Sequence, residues 1–332
     1  MKPRFQVAYE RLDIHTVARV TGPHPDLSVS VIPLRAALPT SAAARRSFFA
    51  EHGWLVIRGG VDAARLTAAR RVYDGLMAPY LRVRATPIRS LWQLAGAERA
   101  RPVVIDLLRR SGVAEIAAQL LGGDDVRLLQ DTFLLKRRGG GGRIALHQDY
   151  SYTGYLQSPR TLGVRFPLET ETRRSGCMWV VDGSHRWGLV GDIHALSGGL
   201  RDVRGLLTAD QAAQVEGRRV LLELAPGDVS LHHCLTLHGS DESRSQTPRR
   251  TIVTHLVAGG CRVVRERLPS AEAVRHFQTD AAGRLAGKRF PILHRRGRRQ
   301  ALRGTAMLAP LVRARSTGSR SPSSRGPGRD RP

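Results

Sequence analysis

Arg219-Val220-Leu221-Leu222-Glu223-Leu224, then Ala225-Pro226-Gly227-Asp228, then Val229-Ser230-Leu231-His232-His233-Cys234-Leu235: two apolar runs rich in strand-forming residues flank a short connector. Pro presets φ for a turn, Gly accepts a positive φ, and Asp bonds its own backbone, so the connector turns the chain between two strands. The same texture extends in both directions from here. Strands are predicted over 126–136, 144–149, 161–168, 177–181, 219–224, 229–235 and 249–257, with a flexible loop at Gly139 to Gly142 and a tight turn at Asp182-Gly183-Ser184. Many short strands separated by turn residues are the pattern of an all-β sandwich or barrel.

Upstream the period changes. Ser41 to His52 reads as a helix, Trp54 to Ile57 as a strand ended by Gly59-Gly60, and Leu66, Ala69, Val72, Tyr73 and Leu76 fall on one helical face. A further helical stretch runs from Pro102 to Leu121, with a break expected at Ser111-Gly112 and a stop at Gly122-Gly123. The protein is therefore mainly β with flanking helices. Residues 1–44, with several prolines and weak periodicity, read as an irregular lead-in, and 45–290 as the folded domain. After Pro269 a helix is expected near Ala271 to Phe277. Residues 291–332 form a basic, Arg-rich tail, expected to be disordered from about 312, where apolar residues are too few to order it.

The chain has 332 residues with 53 Lys+Arg against 28 Asp+Glu, a net charge of +25. From Arg284 onward there are 14 Lys+Arg and one acid, so half of the excess sits in the tail. Fifty of the basic residues are Arg, and only 5% of residues are aromatic, so the stacking platforms of a single-strand nucleic-acid binder are sparse. Nucleic acid is not the expected partner despite the basic tail. No run of 18 apolar residues occurs, so no membrane span is expected, and cytoplasm is the default location. Cys177, Cys234 and Cys261 are far apart and without CxxC spacing, which predicts free thiols and no cysteine zinc site.

Chemistry enters at His147-Gln148-Asp149, at the end of the apolar strand beginning at Ile144. Strand residues two apart share a face, so imidazole and carboxylate are expected to converge while Gln148 turns away. His238, past the strand at 229–235, supplies a second imidazole. Two His and one carboxylate make the facial triad of non-haem Fe(II), which leaves coordination positions open for catalysis. The same spacing occurs in His24-Pro25-Asp26, but between prolines, and it is read as a decoy. Arg249, eleven residues after His238, opens the β-rich run Thr251 to Leu256 and offers a paired, charge-assisted contact to a dicarboxylate. An iron, a bidentate keto acid and dioxygen would fill such a site.

At these residues the sequence resembles the phytanoyl-CoA dioxygenase family of Fe(II)- and 2-oxoglutarate-dependent oxygenases. The resemblance starts at Phe48-Phe49-Ala50-Glu51-His52-Gly53-Trp54 and continues through His147-Gln148-Asp149 and Ser175-Gly176-Cys177 to Gly183-Ser184-His185. It closes with Pro226-Gly227-Asp228, His233, His238-Gly239-Ser240 and Pro248-Arg249. It covers roughly residues 45 to 257. It implies a double-stranded β-helix (jelly-roll, cupin-like) barrel in which His147, Asp149 and His238 hold Fe(II) and Arg249 binds the far carboxylate of 2-oxoglutarate, with O2 as the second cosubstrate. It further implies a cosubstrate contact for Gln130. The retained Asp149 argues for hydroxylation or another oxidation, since halogenating relatives carry a small residue there. In two places the chain departs from the family. Arg165 stands where the family commonly has a Trp lining the cosubstrate pocket; either it adds a second cationic contact to a carboxylate or it points outward, and the outward orientation is the expected one. Asp182 replaces the usual Pro before Gly183 and is expected only to cap a turn.

The leading reading is a dioxygenase that hydroxylates an unactivated C–H bond of a small-molecule metabolite. The competing readings are a catalytically silent barrel associated with nucleic acid through its basic surface, and a metal-holding sensor without turnover. Of His232 and His233 at most one faces inward, and either is expected to be a core histidine. Tyr150, Tyr152 and Tyr155 are expected to present three phenols near the iron, and substrate loops are expected at 80–100, 150–160 and 186–215.

Overall fold

The computed structural model describes residues 30–32, 38–82, 91–123, 125–138, 142–191, 202–268, 274, 276–295 and 297. His24, Asp26 and the tail beyond 297 lie outside the described residues, as does most of the helix expected at 271–277. The larger sheet runs in the order β12 (Ile292–His294), β4 (Val126–Lys136), β11 (Arg249–Ala258), β6 (Thr161–Pro167), β9 (Val229–His233) and β2 (Trp54–Ile57), with β3 (Leu91–Ala95) also paired to β4. The smaller runs β1 (Ser30–Ile32), β8 (Arg219–Leu222), β7 (Met178–Val181), β10 (His238–Ser240) and β5 (Ile144–His147). From β4 to β7 and again from β9 to β11 successive strands alternate between sheets, which is the winding of a double-stranded β-helix, or jelly roll.

Side-chain alternation decides what each face of the larger sheet does. Leu55, Val164, Phe166, Leu231 and Ile252 point outward and join a core with Phe49, Leu66, Tyr73, Val104 and Leu108 from the covering helices. Those helices are α1 (Ala42–His52), α2 (Ala63–Arg82), α3 (Arg101–Arg110) and α4 (Val113–Leu120). Trp54 and Val56, on the other face of β2, pack with Met178, Val180, Val220 and Leu222 of the smaller sheet, so this cluster fills part of the space between the sheets. The remainder of that space is polar and holds the site.

Local chemistry explains the boundaries. The Ser41 hydroxyl accepts from the Ala44 N–H at 3.1 Å, a cap worth about 1 kcal/mol, and Gly53 ends α1 at φ 76°. A Cβ on Gly53 would lie 2.3 Å from His185 Nδ1, so the turn also needs the missing side chain. The break expected at Ser111-Gly112 is present, with Gly112 at φ 73° separating α3 from α4. The sheets reach past the expected 45–290 domain at both ends, since β1 pairs with β8 and β12 pairs with β4. Strands of three residues are too short to carry a readable period. The expected loop at 80–100 contains β3, and that at 186–215 contains the start of α6 (Ala209–Gly217), whose Thr208/Gln211 capping box is complete. No helix among the described residues is long and apolar enough to cross a membrane.

Candidate metal centre

β5 ends at His147, and in the β5–β10 pairing His147 lies directly opposite His238, with ring centroids 4.1 Å apart. Asp149 is not on the strand as expected. It has φ −62° and ψ −30° and opens the one-turn helix α5 (Tyr150–Thr153), so this turn, rather than strand alternation, brings its carboxylate to the imidazoles. Asp149 Oδ1 lies 3.7 Å from His147 Nε2 and 3.5 Å from His238 Nε2, and one ligand atom from each of the three residues falls within 4.8 Å of the others.

The proton positions follow from the partners. His147 Nδ1 sits 2.8 Å from the Ala145 carbonyl and His238 Nδ1 2.9 Å from that of Thr236. A carbonyl only accepts, so each Nδ1 carries the proton and each Nε2 offers a lone pair to the site, the usual arrangement behind a metal-binding histidine. Burial pushes both imidazoles down to about 4, with the neighbouring histidines adding to it, which keeps them neutral and ready to ligate. For Asp149, burial works in the opposite direction, but His238, His255 and the His232 hydrogen bond outweigh it and hold the carboxyl well below its ordinary range. Gln148 does turn away, as expected. It donates to the Gly188 and Leu235 carbonyls at 2.8 and 2.6 Å and accepts from the Val190 N–H at 2.8 Å, fixing the backbone between the two ligands.

A second layer was not foreseen from the sequence. His232 faces inward and donates from Nε2 to Asp149 Oδ2 at 2.9 Å, while His255 Nε2 lies 3.3 Å from the same oxygen. Oδ2 is thereby engaged and Oδ1 is turned to the two ligand imidazoles. His233 points the other way, with its ring 6.3 Å from Phe49 and 5.6 Å from His185. The adjacency of His232 and His233 limited the inward candidates to one, and the β6–β9 register, which puts Gly163 opposite His232, selects it. Replacing His232 with Leu is expected to weaken iron affinity about tenfold, the lower end for loss of a ligand-orienting partner, as read by competition with a chelator. A Cβ on Gly163 would stand 2.2 Å from His232 Cε1 and 2.9 Å from Asp149 Oδ2. Gly163→Ala is accordingly expected to cost about 1–3 kcal/mol in a urea titration and to lower iron affinity, since the groups that must yield are the ones holding Asp149.

Further along the same face lie the cations. Arg249, 2% exposed, donates to the Gly176 carbonyl and stands opposite Lys136 in the β4–β11 register. Lys136 is fully buried and donates to Ser240 Oγ at 2.6 Å and to the Gly176 and Asp241 carbonyls at 3.2 and 2.5 Å. Burial, with Arg249 beside it, drives its pKa well down. No local pattern singles out Lys136, because a lysine at a strand end ordinarily reads as solvent-exposed. Arg165 overturns its expected outward orientation. It is 4% exposed and its Nη2 pairs with Glu171 at 2.8 and 3.2 Å, because an otherwise unpaired carboxylate, itself fully buried, needs a cation on the inner face. Gln130 lies opposite His255 in register, half-buried, with its amide donating to Thr132 Oγ1 at 3.3 Å.

Two further expectations are corrected. Asp182 does more than cap a turn: it accepts from Trp54 Nε1 at 2.7 Å and bonds His52 Nδ1 at 2.9 Å, tying α1 and β2 to the smaller sheet. Of the three phenols only Tyr152 lies by the site, its ring 5.8 Å from that of His147. Tyr150 and Tyr155 enter a separate apolar cluster with Leu156 and Phe290, where the Tyr150 hydroxyl donates to the Leu156 carbonyl at 2.8 Å.

Residues 49–251, which contain the three candidate ligands and Arg249, match the family model of phytanoyl-CoA dioxygenase (PhyH). The chain belongs to the phytanoyl-CoA dioxygenase family. This is a family of iron- and 2-oxoglutarate-dependent oxygenases, and the donor set described above fits iron of that kind: two neutral imidazoles and one carboxylate oxygen on a single side, with no fourth protein ligand among the described residues. A probable phytanoyl-CoA dioxygenase of Caenorhabditis elegans is 23% identical over 236 residues, covering 64% of this chain and 74% of that one. Against the plant phytanoyl-CoA dioxygenases of Arabidopsis thaliana and Oryza sativa the match spans about half of their length. Among solved structures, SnoK, a non-heme alpha-ketoglutarate-dependent carbocyclase from nogalamycin biosynthesis, superposes with a TM-score of 0.63 at 22% identity, covering 76% of this chain and 98% of that one. The epimerase SnoN, crystallised with Fe3+, alpha-ketoglutarate and nogalamycin RO, gives 0.61 at 20% identity, with the same coverage. At these identities the two structures speak for the shared jelly roll.

Proposed function

We propose that this member of the phytanoyl-CoA dioxygenase family uses Fe(II), 2-oxoglutarate and O2 to hydroxylate an unactivated C–H bond of a small-molecule metabolite. The observation that carries the reading is the one-sided ligand set: His147 and His238 with Nδ1 anchored on carbonyls, and Asp149 with Oδ2 occupied by His232. Such a set holds a metal firmly and leaves its opposite side free for other ligands. When bound, iron with the keto acid and dioxygen supplies the oxidising power that removes the hydrogen.

The chain's own residues bind, orient and exclude water. His147, Asp149 and His238, each only 5–6% exposed, keep bulk solvent from the metal. Arg249 takes the far carboxylate of 2-oxoglutarate in a charge-assisted contact inside the barrel, where an anion is well placed because Arg165 and Arg249 are buried against the single carboxylate of Glu171. Gln130, beside His255, contributes an amide near the metal end of the cosubstrate. Tyr152 borders the open side beside His147, where a substrate would enter.

The names of SnoK and SnoN attach ring closure and epimerisation to this fold, so the readout must separate outcomes. Purified protein with Fe(II) and 2-oxoglutarate is expected to release succinate without added substrate, and a metabolite screen is expected to return a product heavier by one oxygen. A product lighter by two hydrogens would replace hydroxylation with ring closure or desaturation, and no consumption of 2-oxoglutarate under any condition would favour a silent barrel.

A further inference from the structure

The inner face of the larger sheet holds more cationic donors than it uses. Arg165 and Ser230 are direct neighbours in the β6–β9 register, so both side chains lie on the inner face, at 4% and 0% exposure. Arg165 spends Nη2 on Glu171, but its Nη1 is buried with no hydrogen-bond partner, and so is Ser230 Oγ. Arg249 Nε is in the same condition, 3.9 Å from Glu171 Oε1, beyond hydrogen-bond distance. Glu171 is thus flanked by both guanidinium groups, and its remaining contact is the Thr251 hydroxyl, donating at 2.5 Å. A single carboxylate within ion-pair distance of both makes the two guanidinium groups neighbours on the inner face.

Charge and hydrogen-bond accounts lead to the same missing partner. Arg165 and Arg249 are buried here against Glu171, so positive charge is in excess where solvation is poorest. Buried donors without partners are costly and rare, and they are tolerated where a ligand completes them. An acceptor-only group with several lone pairs, placed between Arg249, Arg165 Nη1 and Ser230 Oγ, would satisfy all of them and offset the excess charge. A carboxylate is such a group.

We propose that Arg165 and Ser230 form, with Arg249, the carboxylate end of the cosubstrate site, so that this chain grips the far carboxylate of a 2-oxo diacid with two guanidinium groups. Glu171 is the positioning residue: it holds Nη2 of Arg165 so that Nη1 faces the ligand. The proposal rests on the 2-oxoglutarate reading of the site and adds a specificity rule to it. The grip acts on the second carboxylate alone, so it discriminates 2-oxo diacids from 2-oxo monoacids without touching the metal end. Arg165 stands one inner strand position beyond Gly163, which packs on Asp149, so it is close to the metal centre yet contacts none of its ligands.

The test is calorimetry on the full chain loaded with Zn(II), which carries no turnover, using 2-oxoglutarate and 2-oxobutyrate, a monoacid. Arg165→Met with Glu171→Leu removes one cation and one anion together, so the net buried charge is unchanged and Arg249 keeps its contact with the Gly176 carbonyl. This double variant is expected to weaken 2-oxoglutarate tenfold to a hundredfold while 2-oxobutyrate stays within about twofold. Ser230→Ala is expected to weaken 2-oxoglutarate about twofold to tenfold, again without effect on the monoacid. Arg165→Lys, with charge but no planar fork, should fall between wild type and the double variant. If the double variant fails to fold, the ratio of the two affinities in Ser230→Ala and Arg165→Lys decides alone. An unchanged ratio in these variants, in a protein whose 2-oxoglutarate binding still depends on Arg249, would overturn the proposal and leave the pair a packing feature. Parallel weakening of both ligands would also overturn it, as damage to the metal end. A wild type that binds neither ligand would instead overturn the 2-oxoglutarate reading on which the proposal rests.

Discussion

Asp149→Ala is expected to abolish 2-oxoglutarate turnover and to lower iron affinity by more than about a hundredfold, with the fold intact. Loss of a partner that merely orients a ligand costs ten- to a hundredfold, and Asp149 is the ligand itself as well as the centre on which four histidines converge. It is also the only carboxylate of the set, so its removal leaves two neutral imidazoles to hold a dication. His147→Ala and His238→Ala should follow in the same direction. The fold should survive because each variant removes a neutral or locally compensated group, and burial favours the neutral form of the His232 imidazole that Asp149→Ala leaves without its acceptor. Far-UV circular dichroism alongside an iron-binding isotherm would check both halves. Full activity in any of the three variants would mean that another residue set binds the metal.

Arg249→Leu is expected to weaken 2-oxoglutarate tenfold to a hundredfold while iron affinity holds. A charge-assisted contact contributes about 1.5–3 kcal/mol, and Arg249 touches none of the three metal ligands. The substitution leaves Glu171 paired to Arg165, so no buried carboxylate is stranded. Arg249→Lys should recover part of the loss through charge without the fork. The control is Arg250. It lies on the opposite face of β11 and pairs with Glu169 and Asp74, so Arg250→Leu should leave the titration unchanged. If Arg250 mattered and Arg249 did not, the register of β11 in this account would be wrong.

Much of this site was legible because its parts obey local rules. The Pro226-Gly227-Asp228 turn, the strand starting at Ile144 and the Arg249 to Val257 run each announce themselves within a few residues, and residue type and spacing single out His147, Asp149 and His238, which the fold brings together. What stayed hidden depends on partners distant in sequence. The inward turn of Arg165 is set by Glu171 and Thr251, and Thr251 comes from a strand more than 80 residues away; a buried arginine cannot be told from a surface one until its counter-ion is placed. His232 looked like one of two interchangeable histidines until the register placed it opposite Gly163. Asp182 resembled a turn residue because its partners, His52 and Trp54, belong to the opening helix and strand. Asp149 came to the right place for a different reason from the expected one, through a helical turn that no strand pattern foretells. Strands β1, β10 and β12 have three residues each and are defined by pairing alone.

The most direct test of the account is an anaerobic titration of 2-oxoglutarate into the Fe(II)-loaded protein, followed by the visible metal-to-ligand absorption band that appears when a 2-oxo acid chelates ferrous iron. The wild type is expected to develop the band and saturate with one 2-oxoglutarate per iron, and Asp149→Ala to show none at the same concentrations. A wild type that binds Fe(II) but never develops the band, or an Asp149→Ala protein that develops it as fully as the wild type, would contradict the assignment of this site.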